Sequence, residues 1–265
     1  MRLPIFVLLI SVCTLSFAQS ASIQKDVVYG HLDGMAMVYD VVKPQGPNGL
    51  GIIIVVSGGW HSGPENLALV TPFYDVLLSE GYTLFQLYHP SMPTYVVPDA
   101  YKGVKLGLNH IFENAETFGV DPDRLGISGV SSGGHLALLL AMDNEERGAN
   151  EHRLATVVAF MPPVDLRGQA GNVRATPALD FDAALEPELS PVDYASADDS
   201  PVLFIHGSND QVVPYEENSV RLEALLRAAN VPTQLFTVNA GHEVFPEPEM
   251  VKAHEVMLSW FEEHL

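Results

Sequence analysis

Residues 125–140 read LGISGVSSGGHLALLL, an apolar strand-like run that breaks at glycines and resumes as an apolar helix expected from near Gly133 to about Met142. No other stretch of the chain constrains the fold so tightly. Within the break, Gly129-Val130-Ser131-Ser132-Gly133 fits G-x-S-x-G. Such a turn holds its central residue in strained φ/ψ, and its flanks tolerate little beyond hydrogen. Ser131 Oγ is thereby lifted clear of the backbone, a candidate nucleophile. The following helix aims its free N–H groups and positive dipole end at any oxyanion formed beside Ser131, which makes the Ser132 N–H a candidate oxyanion donor. The plain alternative is a Gly-rich link from strand to helix. Ser128 and Ser132 are alternative nucleophiles, but neither sits at the centre of the glycine pair.

The flanking chain repeats the strand-then-helix rhythm. Residues 25–29 and 36–42 read as strands of an antiparallel edge hairpin across His31-Leu-Asp-Gly34, and residues 44–49 break the chain. The run GIIIVV at 51–56 is expected of a parallel strand covered on both faces. Ser57-Gly-Gly-Trp60 follows directly. A glycine pair just past a buried strand lets backbone N–H groups face a ligand, so Gly59 or Trp60 is the second candidate oxyanion donor, with an ordinary loop as the alternative. Residues 67–79 are expected as a helix, 83–88 as a strand and 89–98 as an aromatic, Pro-rich loop. Residues 101–118 are expected as a helix stopped by Gly119. Beyond the central stretch come a strand at 155–160 and an acidic, aperiodic insertion or lid at 164–200. A strand at 202–206 precedes a helix at 215–229 with Leu222, Leu225 and Leu226 on one face; a strand at 234–238 and a helix at 249–263 close the chain. This alternation predicts an α/β fold, a mostly parallel sheet with helices on both faces.

Residues 1–20 carry Arg2, an apolar run through Phe17 and small residues around Ala18, the pattern of a secretory signal too short to be a membrane span. Residues 21–265 then form a single domain, and the expected destination is periplasmic or extracellular. Cys13, the one cysteine, lies inside the signal, so the exported chain has no disulfide. Losing the signal removes Arg2 and no acid. Twelve basic against 33 acidic residues remain, a formal charge of −21, which argues against nucleic acid and anionic membranes as partners.

A serine hydroxyl needs an imidazole to take its proton, and the imidazole needs a carboxylate to fix its tautomer. Asp210, in the loop His206-Gly-Ser-Asn-Asp210, follows one strand, and His242, in Ala240-Gly-His242, follows the last. Asp210 has a bland reading as a turn residue, with Asp165 or Asp193 as the carboxylate instead; His242 has one as a loop histidine. His206 and His135 read as structural. Trp60, Tyr88 and Tyr95 are candidates for shaping a substrate pocket, or for surface packing. No metal-ligand spacing and no phosphate-cradling loop appear, so no cofactor is expected.

Taken together, Ser57-Gly-Gly-Trp60, Gly119-Val-Asp-Pro-Asp-Arg124, Gly129-Val-Ser-Ser-Gly-Gly-His-Leu-Ala137, His206-Gly-Ser-Asn-Asp210 with Val213-Pro214, and Ala240-Gly-His242 resemble the α/β-hydrolase superfamily. The nearest branch is the esterase and acetyl-xylan or feruloyl esterase-like group, close to prolyl oligopeptidase-type catalytic domains. The resemblance implies an α/β-hydrolase fold with a short insertion before the Asp-bearing strand. It also implies Ser131 as nucleophile, His242 as base, Asp210 as its orienter, and Ser132 with Gly59 as oxyanion donors. The chain departs from many relatives in one respect: where their oxyanion loop begins His-Gly-Gly, Ser57 or Val56 stands in the His position. The activity implied is a serine carboxylic ester hydrolase, with polysaccharide acetyl or feruloyl esters as the expected substrates. A peptidase or amidase, or a non-catalytic binding module on the same scaffold, are the alternatives.

Overall fold

Strands with apolar side chains on both faces need cover on both faces, and the sheet is built around such strands. In a computed structural model describing residues 21–143 and 152–265 these are β3 (Gly51–Val55), β5 (Leu125–Val130), β6 (Thr156–Phe160) and β7 (Val202–Gly207). Nearly every residue in them is buried. Around them lie β1 (Ser22–Leu32), β2 (Met35–Lys43), β4 (Thr83–Leu87) and β8 (Thr233–Val238). The order is β1-β2-β4-β3-β5-β6-β7-β8. β1 and β2 form the expected hairpin, β2 runs antiparallel to β4, and the other pairings are parallel.

Among the described residues, five helices cover this sheet. α2 (Val97–Asn114), α3 (Ser132–Met142) and α4 (Arg221–Ala228) supply one apolar layer, and α1 (Leu67–Ser79) and α5 (Glu249–His264) the other. α3 is apolar almost all round and every one of its residues is buried, which marks it as the central helix of its layer. The result is an α/β-hydrolase fold. No helix among the described residues is long and apolar enough to cross a membrane. The signal read at residues 1–20 lies outside the described residues.

Two elements depart from the expected outline. The helix expected over 101–118 starts earlier, at Val97, and ends in a tighter 3-10 turn, Ala115–Phe118, before Gly119 with φ +76°. The helix expected from 215 begins as a π-helical turn, Glu216–Val220, and only Arg221–Ala228 is regular. Within the regular part the buried stripe follows the i,i+4 pair Leu222 and Leu226, and Leu225 stands off it and is exposed, correcting the face assigned to it. The aperiodic insertion after β6 holds four short 3-10 turns between Pro177 and Asp193. It is packed down by buried Leu166, Leu179, Leu189 and Val192.

Parallel pairing aligns strand ends. Val55 lies opposite Gly129, Phe160 opposite Ile205, and Gly207 opposite Val238. The loops after β3, β5, β7 and β8 therefore leave the sheet at one edge, where α/β folds place their ligands.

Candidate active site

Ser131 stands between β5 and α3 with φ +54° and ψ −121°, a region non-glycine residues rarely occupy. Its N–H donates to the Phe160 carbonyl at 2.8 Å, which fixes the bend. A Cβ on Gly129 would sit 2.2 Å from the Gly133 carbonyl carbon, and one on Gly133 only 2.4 Å from the Val55 oxygen. Both flanks of the serine must be bare for strand, turn and helix to meet. Ser132, first residue of α3, has no intrahelical acceptor for its N–H, which remains available beside Ser131.

His242 Nε2 lies 2.9 Å from Ser131 Oγ, and His242 Nδ1 lies 2.6 Å from Asp210 Oδ2. Since a carboxylate only accepts, the proton is on Nδ1 and Nε2 is left to accept from the serine hydroxyl. Asp210 is 3% exposed. Burial would raise its pKa, but hydrogen bonds from His206, His242 and the Val213 N–H prevail and hold the carboxyl below the usual carboxylate range. Its Oδ1 accepts from the Val212 and Val213 N–H groups, both at 2.8 Å.

His206 is more than the strand-end residue expected of it. Fully buried, it donates from Nε2 to Asp210 Oδ2 at 3.2 Å and to the Val213 carbonyl at 3.0 Å. Its Nδ1 then accepts from the Ser219 hydroxyl at 2.7 Å. Ser219 faces it because it lies in the π-helical turn, a deformation that often accompanies functional sites. Asp165 and Asp193, the alternative carboxylates, pair with arginines and not with His242: Asp165, on the wall of the same cavity as Ser131, pairs with Arg167 at 2.9 Å and Arg221 at 2.7 Å, and Asp193 pairs with Arg167. Ser128 is buried and donates to the Val158 carbonyl.

After β3 the chain makes a tight turn in which His61 N–H donates to Gly58 O at 3.0 Å and Gly58 N–H to His61 O at 2.9 Å. Gly59 and Trp60 both have φ +58°, the pair of positive angles that marks a type I′ turn. The turn's own bonds use Gly58 and His61, so the N–H groups of Gly59 and Trp60 are not spent within it. Trp60 is held in this unfavourable conformation by its ring: Nε1–H donates to His135 Nδ1 at 3.2 Å, and His135 Nε2–H donates to the Leu189 carbonyl at 2.8 Å. Burial pushes the His135 imidazole down to about 4, so it is neutral and free to accept from Trp60.

Gly59, Trp60, Ser131 and Ser132 line a cavity of about 380 Å³, together with Leu166, Leu179 and Val213. Arg167 and Arg221 reach its rim. Tyr88 and Tyr95 are not among its lining residues, which corrects their assignment to the pocket. The Tyr88 hydroxyl turns to Asp40 at 3.2 Å, and the ring joins the layer of α1 and α5; Tyr95 bonds Asp33 at 3.3 Å on the outer surface. Among the described residues no group of three His, Cys, Asp or Glu side chains is placed to hold a metal ion.

A family profile described as BD-FAE matches residues 39–226. The probable carboxylic ester hydrolase LipM of Mycobacterium tuberculosis is 27% identical over 195 residues, 67% of this chain and 45% of LipM. The chain spans about half, or less, of the length of the curated relatives it matches. Among solved structures, a truncated carbohydrate esterase from gut microbiota superposes with a TM-score of 0.75 at 22% identity, covering 92% of this chain and 96% of that one. Thermogutta terrifontis esterase 2, phosphoramylated by tabun, gives 0.76 at 22% identity, covering 92% and 94%.

Proposed function

This chain belongs to the BD-FAE family, and on that footing we propose that it is a serine-dependent carboxylic ester hydrolase working through an acyl-enzyme. Ser131 Oγ attacks the ester carbonyl as His242 Nε2 takes its proton, and Asp210 stabilises the imidazolium that forms. The N–H of Ser132 and that of Gly59 or Trp60 receive the developing oxyanion. The imidazolium returns its proton to the leaving alcohol; water, deprotonated by His242, then releases the acid. The observation that carries this reading is the continuous line of Ser131 Oγ, His242 and Asp210 at 2.9 and 2.6 Å. The relatives' names, a carboxylic ester hydrolase and a carbohydrate esterase, agree with it.

The finer reading is an exported enzyme acting on acetyl or feruloyl esters of polysaccharides. It is supported by the leader-like residues 1–20, by the cavity beside Ser131 and by the carbohydrate esterase neighbour. Hydrolysis of p-nitrophenyl acetate, with acetylated and feruloylated oligosaccharides and a proline-amide substrate alongside, tests both levels. Ester turnover is expected to fall about 10⁴-fold or more in Ser131→Ala. Unchanged turnover in that variant refutes the reading, and faster cleavage of the amide than of every ester turns it toward a peptidase.

A further inference from the structure

His89, just past β4, is a buried imidazole with no part in the proton transfers above. Its Nδ1 lies 2.8 Å from the Pro90 carbonyl, and its Nε2 lies 3.0 Å from Ser57 Oγ. Ser57 Oγ in turn lies 2.9 Å from Ser132 Oγ. All three side chains are buried, His89 at 6% exposed, Ser57 at 3% and Ser132 at 1%. The directions of these bonds follow from valence. A carbonyl only accepts, so His89 Nδ1 carries the proton and Nε2 must accept. The Ser57 hydroxyl donates to Nε2, and its lone pair receives the Ser132 hydroxyl. Every proton in the chain Ser132 to Ser57 to His89 has one place to go. Burial pushes the His89 imidazole down to about 4, so it stays a neutral acceptor at ordinary pH.

Ser57 opens the turn that presents the Gly59 and Trp60 N–H groups, and Ser132 carries the N–H beside Ser131. We propose that His89 and Ser57 are positioning residues that strap the two halves of the oxyanion hole together, an inference resting on the hydrolase reading above. Where related chains place an imidazole in the oxyanion loop itself, this chain has the short Ser57 side chain, and an imidazole from the neighbouring strand end fills the space behind it. The segments carrying the strap are knitted together nearby: His89 N–H donates to Ser62 Oγ at 3.2 Å, and Ser62 Oγ donates to the Val56 carbonyl. The strap also commits the Ser132 hydroxyl to Ser57.

A strap acting on oxyanion geometry affects the chemical step rather than substrate capture, because a displacement of about 1 Å in a preorganised site costs up to about 10²-fold. In a protein whose ester turnover depends on Ser131, His89→Leu and Ser57→Ala are each expected to lower kcat about 10- to 100-fold with KM changed less than about threefold. The double variant is expected to be no worse than the worse single, since both break one chain. His89→Gln, which can place an amide oxygen near the Nε2 position, is expected to recover most of kcat. If His89→Leu does not fold, Ser57→Ala, a loss of one oxygen, still reads the effect. Wild-type kcat in Ser57→Ala, a loss confined to KM, or equal losses in His89→Leu and His89→Gln that follow their melting temperatures would each overturn the strap. Activity surviving in Ser131→Ala would instead overturn the hydrolase reading.

Discussion

At the scale of single residues, the site depends on which atoms hold protons. Asp210 with four donors fixes the His242 tautomer, and an amide in its place reverses that instruction: Asp210→Asn offers N–H to Nδ1 and leaves Nε2 protonated. An expected fall in kcat of about 10⁴-fold, the size found when a triad aspartate becomes an amide, is checked by steady-state ester hydrolysis. A loss under tenfold contradicts the assignment. Ser131, Asp210 and His242 were legible because each stands just after a strand-like run in a loop of small residues. His206 was legible only as a strand-end histidine, because its bond to Asp210 depends on the i,i+4 geometry of a loop that periodicity does not describe. Tyr88 and Tyr95 were misplaced for a related reason. An aromatic residue in a loop announces burial of a ring and says nothing of its direction, and here Asp40 and Asp33 draw the two hydroxyls elsewhere.

At the scale of elements, two glycines are required for different reasons, one for space and one for backbone conformation. Gly133→Ala would drive a methyl against the Val55 carbonyl oxygen, where only backbone can give way, so α3 must shift away from β3. A stability loss of about 1–3 kcal/mol is expected in denaturant titration, together with loss of activity. Gly59→Ala meets no atom within 4 Å, but its φ of +58° strains an alanine. Its stability cost is about 1 kcal/mol, while activity is expected to fall because the strained turn carries the proposed oxyanion donor. Finding Gly133→Ala as stable as the parent would contradict the elbow packing. The buried strands β3, β5, β6 and β7 were readable as short, mostly apolar runs, a pattern with few alternatives once glycine-rich turns bound it. The start of α4 was not, because a π-helical turn inserts a residue's worth of phase without altering composition. In the insertion, 3-10 turns capped by Thr176 and Asp182 leave no period to read.

At the scale of the whole molecule, burying two neutral histidines links folding to pH. His89 and His135 have native pKa values near 4 against about 6.5 in the unfolded chain. Above pH 6.5 neither state binds these protons, and stability is unaffected. Between 6.5 and 4 the unfolded chain binds more protons than the native one, so stability falls as pH falls, by up to about 1.4 kcal/mol per pH unit for each histidine. Asp210 acts lower: its native pKa is depressed, so its contribution is present above pH ~4 and is lost as pH falls toward its native value. Melting temperature is expected to decline from pH 6.5 to 4 and to decline less in His135→Gln. A flat profile across that window contradicts the burial of neutral imidazoles.

The claim on which the rest depends is that the hydroxyl of Ser131, alone among the serines of the described residues, is activated. It is tested by treating the purified protein with a fluorophosphonate and locating the adduct by peptide mass spectrometry. A single adduct on the peptide containing Ser131, absent in Ser131→Ala and formed far more slowly in His242→Ala, is the predicted result. An adduct on another residue, or labelling that persists undiminished without Ser131, would contradict it.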